Sequence, residues 1–182
     1  MAEPAHRIED EPLAGKAAKP TPVILLVDDD EMTRISMAGR LKRLGYRVIE
    51  AGDGVAGLAA VRAQRQDLVI LDWMMPGLDG TSVCEAIRAD GELRSSQVVL
   101  MTAHDQPGQI AEGLSRGADD FLSKAASKQE VLARVQASLR SSALVREIER
   151  TRDDLDRSHR LLSAKQAELE SQLQSAAEFV RA

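Results

Sequence analysis

The stretch that decides the fold is residues 68–80, which read Leu68-Val69-Ile70-Leu71-Asp72-Trp73-Met74-Met75-Pro76-Gly77-Leu78-Asp79-Gly80. An unbroken apolar run of this length, bounded by turn residues, is typical of a strand that is buried on both faces. Such strands occur in parallel sheets that helices cover on both sides. The stretch therefore predicts a central strand of an α/β fold, with Asp72 at its carboxyl end.

Further strand-like segments lie on either side of this stretch. They are Val23–Val27, Arg47–Ala51, Val98–Met101 and Phe121–Leu122. Stretches with apolar residues three or four positions apart separate them and predict helices at Met32–Leu44, Gly54–Ala63, Thr81–Ala89 and Gln109–Arg116. This alternation predicts a five-stranded, doubly wound parallel sheet, with right-handed crossovers placing helices on both faces.

The charge balance and the cysteine content narrow the class of protein. Lys and Arg number 24 against 29 Asp and Glu, a net charge of −5, which argues against a nucleic acid or an anionic membrane as the main partner. Cys84 has no second cysteine to pair with, and three histidines are too few for a Cys/His zinc site. We therefore expect a cytoplasmic protein with no nucleic-acid or membrane partner.

The two ends of the chain differ from its middle. Four of the six prolines fall within the first 22 residues, which predicts a disordered leader at residues 1–21. At the other end, Ser127 and Glu130 have capping-box spacing, and neither proline nor glycine follows Gly117. This predicts one helix from about Ser127 onward, whose first apolar stripe closes over the sheet through Val131, Leu132, Val135 and Leu139.

Beyond that stripe the apolar spacing becomes heptad. The a positions are Val145, Arg152, His159, Gln166, Leu173 and Val180, and the d positions are Ile148, Leu155, Leu162, Leu169 and Ala176. A seven-residue series of this kind predicts a coiled-coil seam, and we expect a parallel homodimer through residues 142–182. The central a positions are polar, which lowers stability while restricting register. The predicted globular domain then covers residues 22–141.

Polar side chains follow four of the five predicted strands. Asp28-Asp29-Asp30 follows the first strand, Asp72 the third, Thr102 the fourth and Lys124 the fifth. The carboxyl ends of parallel strands meet at one edge, so these groups should converge. Clustered carboxylates repel unless a cation binds, and Mg²⁺ prefers such oxygen ligands. The residues alone leave open a solvated helix N-terminus at Asp28–Asp30 and an ordinary strand-end acid at Asp72.

Four motifs, Val27–Asp30, Leu71–Gly80, Met101–Ala103 and Phe121–Lys124, resemble those of the receiver domain of two-component response regulators. The resemblance covers residues 23 to about 141 and implies a flavodoxin-like receiver fold. It implies that Asp72 is the phosphoacceptor and that Mg²⁺ binds Asp28, Asp29, Asp72 and the Met74 backbone carbonyl. It also implies that Thr102 and Lys124 bind the phosphoryl group and that Phe121 is a switch aromatic, although Phe121 alone also suits a core position.

The resemblance further implies a histidine kinase or a histidine phosphotransfer protein as the partner. The chain would then be no enzyme beyond catalysing its own phosphorylation and dephosphorylation. One departure from the family pattern is Ala125, which stands where a proline in a cis peptide usually follows the lysine. A cis bond before a non-proline residue costs about 3–4 kcal/mol, so we expect a trans link and a reshaped loop.

Two other functions compete with the signalling switch. One is an adaptor or dimerisation module that acts independently of phosphorylation. The other is a metal-dependent phosphohydrolase, which is disfavoured because Met74 stands where a second catalytic aspartate would lie and because no cap domain is evident. Residues 167–182 resemble the linker that precedes serine/threonine phosphatase domains in bacterial stress-response regulators, although diguanylate cyclase regulators use similar helices.

Overall fold

The computed structural model describes residues 21–103 and 107–181, and for residues 107, 109, 171 and 173–181 it describes the backbone only. The predicted leader therefore lies almost wholly outside the described residues. The strands are β1 (Val23–Val27), β2 (Arg47–Ala51), β3 (Leu68–Asp72), β4 (Val98–Thr102) and β5 (Asp120–Ser123). The helices are α1 (Glu31–Arg43), α2 (Gly54–Ala63), α3 (Gly80–Ala89), α4 (Pro107–Ser115) and α5 (Lys128–Arg181).

The five strands form one parallel sheet in the order β2-β1-β3-β4-β5. Successive residues of a strand point to opposite faces, and each face has its own core. Leu25 and Val27 pack on one face, whereas Ile24 and Leu26 pack on the other. The predicted five-stranded α/β fold is confirmed, and β3 is buried along its whole length as its apolar run indicates.

Side-chain caps fix where the helices after β1, β2 and β3 begin. Asp30, Asp53 and Asp79 are the N-caps of α1, α2 and α3, and each carboxylate accepts a hydrogen bond from a backbone N–H three residues later. Helix α4 begins at Pro107, two residues before the predicted start, because proline is well tolerated in the first turn of a helix.

Helix α5 covers the face that holds Leu26, and then continues past the sheet. Val131 and Val135 are 0% and 2% exposed, which confirms that the first part of this helix closes the core. The same helix runs without a break to Arg181. Its later apolar residues are largely exposed, namely Ile148, Leu155, Leu161, Leu162 and Leu169. Among the described residues, no helix has an apolar stretch suited to spanning a bilayer.

Candidate functional site

The predicted site residues meet at the carboxyl edge of the sheet. Asp28 directly follows β1, Asp72 ends β3, Thr102 ends β4 and Lys124 directly follows β5. Asp28 and Asp72 are only 0% and 4% exposed, which is unusual for carboxylates, and the Thr102 side chain beside them is 6% exposed. A buried charge must be paired, so this edge requires a cation of some kind.

Lys124 supplies a positive charge between the two buried carboxylates. Its Nζ lies 2.9 Å from Asp28 Oδ2 and 2.9 Å from Asp72 Oδ2. Burial alone would lower the pKa of Lys124, but its hydrogen bonds to Asp72 and Asp28 outweigh burial and raise the pKa above its usual value. Burial raises the pKa of Asp72, and the hydrogen bond from Lys124 partly opposes that rise.

Asp28, Asp29 and Asp72 form a carboxylate cluster that fits a divalent cation. One oxygen of each lies within 4.8 Å of the others, and Asp29 is the exposed member of the three. An all-oxygen donor set with one side open to water suits Mg²⁺, which retains part of its hydration shell. Met74 donates its backbone N–H to Asp72, while the predicted role of its carbonyl as a metal ligand stays a prediction.

Several contacts that the sequence did not predict hold these acids in place. A Cβ on Gly80 would lie 2.1 Å from the Asp72 backbone oxygen, so only glycine lets the start of α3 approach β3 so closely. Arg34 donates to the backbone oxygen of Asp28 at 2.7 Å, and the Asp30 N–H donates to Asp28 Oδ1 at 2.9 Å. Gly80 stands among the turn residues that end the stretch 68–80, whereas no local pattern indicates the Arg34 contact.

Asp30 caps α1 and does not belong to the carboxylate cluster that contains Asp28 and Asp29. Its Oδ1 accepts a hydrogen bond from the Thr33 N–H at 2.6 Å, and this bond lowers the pKa of Asp30. The helix-cap interpretation of the acidic run therefore holds for Asp30, whereas Asp28 is buried in the site. Sequence proximity alone does not distinguish the two.

The loop after β5 keeps Lys124 in reach although the usual proline is absent. The described residues contain no cis peptide bond, so the Lys124–Ala125 link is trans as expected. The Lys124 N–H donates to the Thr102 oxygen at 2.7 Å, which continues the pairing of β4 and β5 and directs the lysine toward the site. Arg40 also donates to the Ala126 oxygen at 2.7 Å, fixing the other end of the loop.

Phe121 lies on β5 and is half-buried. The guanidinium carbon of Arg134 lies 4.7 Å from the centre of its ring, and Arg134 Nη1 is also 2.8 Å from Asp120 Oδ1. The ring is therefore held against α5 by a cation–π contact. Its role as a switch aromatic stays a prediction. His104, two positions after Thr102, lies outside the described residues.

A parallel α/β sheet with a carboxylate cluster and a lysine at its carboxyl edge defines a receiver-type domain. The family model of the response regulator receiver domain matches residues 24–136. The chain belongs to the response regulator receiver family. The recognition made from the four sequence motifs is confirmed.

Curated relatives agree with this assignment. The chain is 43% identical over 117 residues to the response regulator MprA of Mycobacterium leprae, covering 64% of this chain and 50% of that protein. It is 40% identical over 119 residues to the transcriptional regulatory protein AfsQ1 of Streptomyces coelicolor, covering 65% of this chain and 52% of that protein. The chain thus spans about half the length of the curated relatives it matches.

Solved structures show the same fold. The receiver domain of the Francisella response regulator 1452 matches with a TM-score of 0.61 and 30% identity, covering 66% of this chain and 98% of that one. The receiver domain of the sensor histidine kinase PA1611 from Pseudomonas aeruginosa matches with a TM-score of 0.62 and 30% identity, covering 65% of this chain and 98% of that one. That structure holds a magnesium ion coordinated in its active site cleft.

Proposed function

We propose that this chain is a phosphorylation-controlled switch that accepts a phosphoryl group on Asp72 from a histidine kinase or a histidine phosphotransfer protein. The observation that carries the proposal is the position of Asp72. Its carboxylate is buried, lies within 2.9 Å of Lys124 and belongs to a three-carboxylate cluster that fits Mg²⁺. An ordinary strand-end acid would be solvated and would need none of these partners.

The transfer step follows from these positions. A carboxylate oxygen of Asp72 attacks the phosphorus of a phosphohistidine, the new P–O bond forms as the P–N bond breaks, and the electron pair returns to the imidazole nitrogen. Lys124 offers a positive charge to the phosphoryl oxygens, and Thr102, at the end of β4, offers a hydroxyl donor to the product. Magnesium, bound by Asp28, Asp29 and Asp72, would neutralise the charge that accumulates on those oxygens.

The test uses a small phosphodonor in place of the kinase. Incubation with acetyl phosphate and Mg²⁺ should add one hydroxylamine-labile phosphoryl group, and Asp72→Asn should abolish it. Asp153→Asn, an exposed acid on α5, is the matched control and should label as the wild type does. Labelling of Asp72→Asn at the wild-type level would refute the assignment of the phosphoacceptor.

The metal assignment has its own variant. Asp29→Ala should weaken Mg²⁺ binding because the cation loses a hard oxygen ligand that offsets its dehydration. A titration of the full chain with Mg²⁺ measures the affinity, and Asp153→Ala serves as the control. Unchanged affinity in Asp29→Ala would exclude Asp29 from the metal site.

The output side of the proposal is a parallel homodimer through residues 142–182. Leu155 and Leu162 are both 68% exposed in the single chain, and they recur at the d position of the predicted seam. A second copy would remove these side chains from water. In a parallel pair, Lys165 at g would face Glu170 at e of the other copy, an attraction of only some tenths of a kcal/mol at exposed positions.

The alternative function, a constitutive adaptor, is favoured by the same exposed seam, because the seam lies outside the phosphorylation site. Sedimentation of the full chain with and without acetyl phosphate distinguishes the two functions. A switch should change its dimer dissociation constant on phosphorylation, whereas an adaptor should not. In both cases we propose that the chain acts in the cytoplasm and catalyses no reaction beyond its own phosphorylation and dephosphorylation.

A further inference from the structure

The amino ends of the strands form the lower edge of the sheet, opposite the phosphorylation site, and two aspartates cap it. Asp67 Oδ2 accepts from the Val23 N–H at 2.7 Å, and Asp119 Oδ2 accepts from the Val98 N–H at 2.7 Å. Each aspartate also pairs with an arginine. Arg88 of α3 binds Asp119 at 2.7 Å, and Arg146 of α5 binds Asp67.

These two arginines come from different parts of the chain. Arg88 lies inside the matched family region, 24–136, whereas Arg146 lies ten residues beyond its end. Arg146 Nη2 donates also to the Gln66 backbone oxygen at 3.3 Å and to Ser142 Oγ at 3.1 Å. The helical extension therefore completes the lower edge of the receiver with Arg146, whose side chain is partly buried and forms several hydrogen bonds.

One helical turn later a second ion pair repeats the contact. Glu149 Oε2 lies 2.8 Å from Arg65 Nη1, and Arg65 Nη2 donates to Ser95 Oγ at 2.9 Å. We call the four charged residues Arg65, Asp67, Arg146 and Glu149 the lower-edge clamp. In the described part of α5, Glu149 is the last residue that forms an ion pair with the rest of the receiver, and every residue from Arg150 to Glu170 is exposed.

The clamp shares its helical turn with the start of the seam. Val145 and Ile148 hold the first a and d positions after Ser142, and they alternate with Arg146 and Glu149 along the chain. With about 100° between successive residues, Arg146 lies about 100° around the helix from Val145, whereas Glu149 takes the e position beside the seam, the heptad position that Glu170 also holds. Ile148 is 64% exposed while Arg146 and Glu149 are held by the receiver.

We propose that the lower-edge clamp fixes the rotational phase in which α5 presents its seam to a second copy of this chain. The proposal rests on the dimer proposed above. A second copy of this chain suits the seam for two reasons. Its exposed d residues repeat with the same seven-residue period, and Lys165 of one copy is complementary in charge to Glu170 of the other in a parallel pair. With the clamp closed, a change in the receiver reorients the seam; with it open, α5 pairs independently of the receiver.

The connection between the clamp and the phosphoacceptor is short. Asp67 directly precedes β3, and β3 ends at Asp72. At about 3.3 Å per residue, the five residues from Leu68 to Asp72 span roughly 17 Å of rigid, fully buried strand. The receiver is therefore tied to the first part of α5 at two places. One is the loop after Lys124, which leads into the helix, and the other is the clamp.

Cysteine cross-linking between copies tests the proposal in the full chain. Ile148→Cys reports the seam beside the clamp, and Leu162→Cys reports the seam far from it. The native Cys84 gives little background because it is buried, and burial raises the pKa of its thiol to about 11. Acetyl phosphate should change the cross-linking rate at position 148 by about fivefold or more.

Glu149→Arg should remove that response at position 148 because it places two positive charges together. Glu147→Arg, an exposed change on the same helix, should keep the response. Combining Glu149→Arg with Arg65→Glu restores opposite charges and should restore the response. Glu149→Gln, which introduces no repulsion, should weaken it, so the result does not depend on one disruptive variant.

The outcomes separate the two proposals. A full response in Glu149→Arg, with cross-linking intact at both positions, overturns the clamp proposal and leaves the dimer standing. No cross-linking at either position, with normal labelling of Asp72, refutes the dimer and with it the clamp. A response that is lost in Glu149→Arg and equally in Glu147→Arg also overturns the clamp proposal, because the effect is then not specific to the Arg65 contact.

Discussion

Two leucines show how differently the receiver and the free part of α5, residues 150–181, use the same side chain. Leu26 on β1 is 0% exposed and belongs to the same buried cluster as Val131 and Val135 of α5, whereas Leu155 on the free part is 68% exposed. Burying a leucine fully contributes about 1.5–3 kcal/mol of stabilisation, so Leu26 stabilises the fold of the single chain. Leu155 can contribute this stabilisation only by packing against another molecule.

The difference shows that one helix can serve two separate functions. Propensity is similar along α5, which has neither proline nor glycine, so its continuity does not depend on packing alone. What changes at the lower-edge clamp is the environment of its apolar stripe. The receiver part is stabilised by folding, and the free part is stabilised by association.

The largest expected effect is on folding stability. Leu26→Ala should lower the free energy of unfolding by about 2–5 kcal/mol, since it leaves a cavity in this buried cluster. Leu155→Ala should change it by no more than about 0.5 kcal/mol in dilute, monomeric protein. Urea unfolding of both variants measures the difference. Equal losses would mean that the free part folds back on the receiver.

A second variant concerns the receiver site. Gly80→Ala should cost about 1–3 kcal/mol of stability, because the added methyl group meets the Asp72 backbone oxygen and must displace β3 or α3. Labelling of Asp72 by acetyl phosphate should slow in parallel. Gly91→Ala is the matched control, since a Cβ there meets nothing within 4 Å. The packing argument fails if both glycine variants behave alike.

The third prediction concerns the free part alone. Replacing Arg152, His159 and Gln166 together with leucine should tighten the dimer about tenfold or more, because polar groups at a positions oppose association. The same change should reduce the response of the dimer to phosphorylation, since a stronger seam is harder to shift. Sedimentation at several concentrations measures both effects. A monomer at high micromolar concentration in every state would contradict the seam.

The smallest expected effect is a pH dependence at the clamp. Hydrogen bonding from Ser95 and from Arg65 lowers the pKa of Glu149 below its usual value. A lowered pKa in the folded state means that the contribution is complete above about pH 4.3 and is lost as the pH falls through the folded pKa. Glu149 is 39% exposed, so solvent screens the pair and the effect should be small.

The measurement for this prediction is the stability difference between the wild type and Glu149→Gln. That difference should be constant near neutral pH and shrink below about pH 4.3. Glu147→Gln, at an exposed position two residues away on the same helix, is the control variant. A difference that grows as the pH falls would have the wrong sign for a salt bridge.

Much of the fold could be predicted because it depends on neighbouring residues. The apolar run from Leu68 to Leu71 marked a buried strand, and the polar residues after each strand marked the site edge. The four motifs then identified the receiver family. Helix ends were less well predicted, as Pro107 shows, because the first turn of a helix tolerates many residues.

The sequence by itself determined the α/β alternation, the family and the continuity of α5, since each is written in local spacing. Only the tertiary structure decided which residue of the run Asp28–Asp30 is buried, why Gly80 must be glycine and where α5 leaves the receiver. The Arg65–Glu149 contact joins residues 84 positions apart, and the Asp67–Val23 contact joins residues 44 apart. Such pairs have no periodic signature, because the path of the chain through the sheet brings them together.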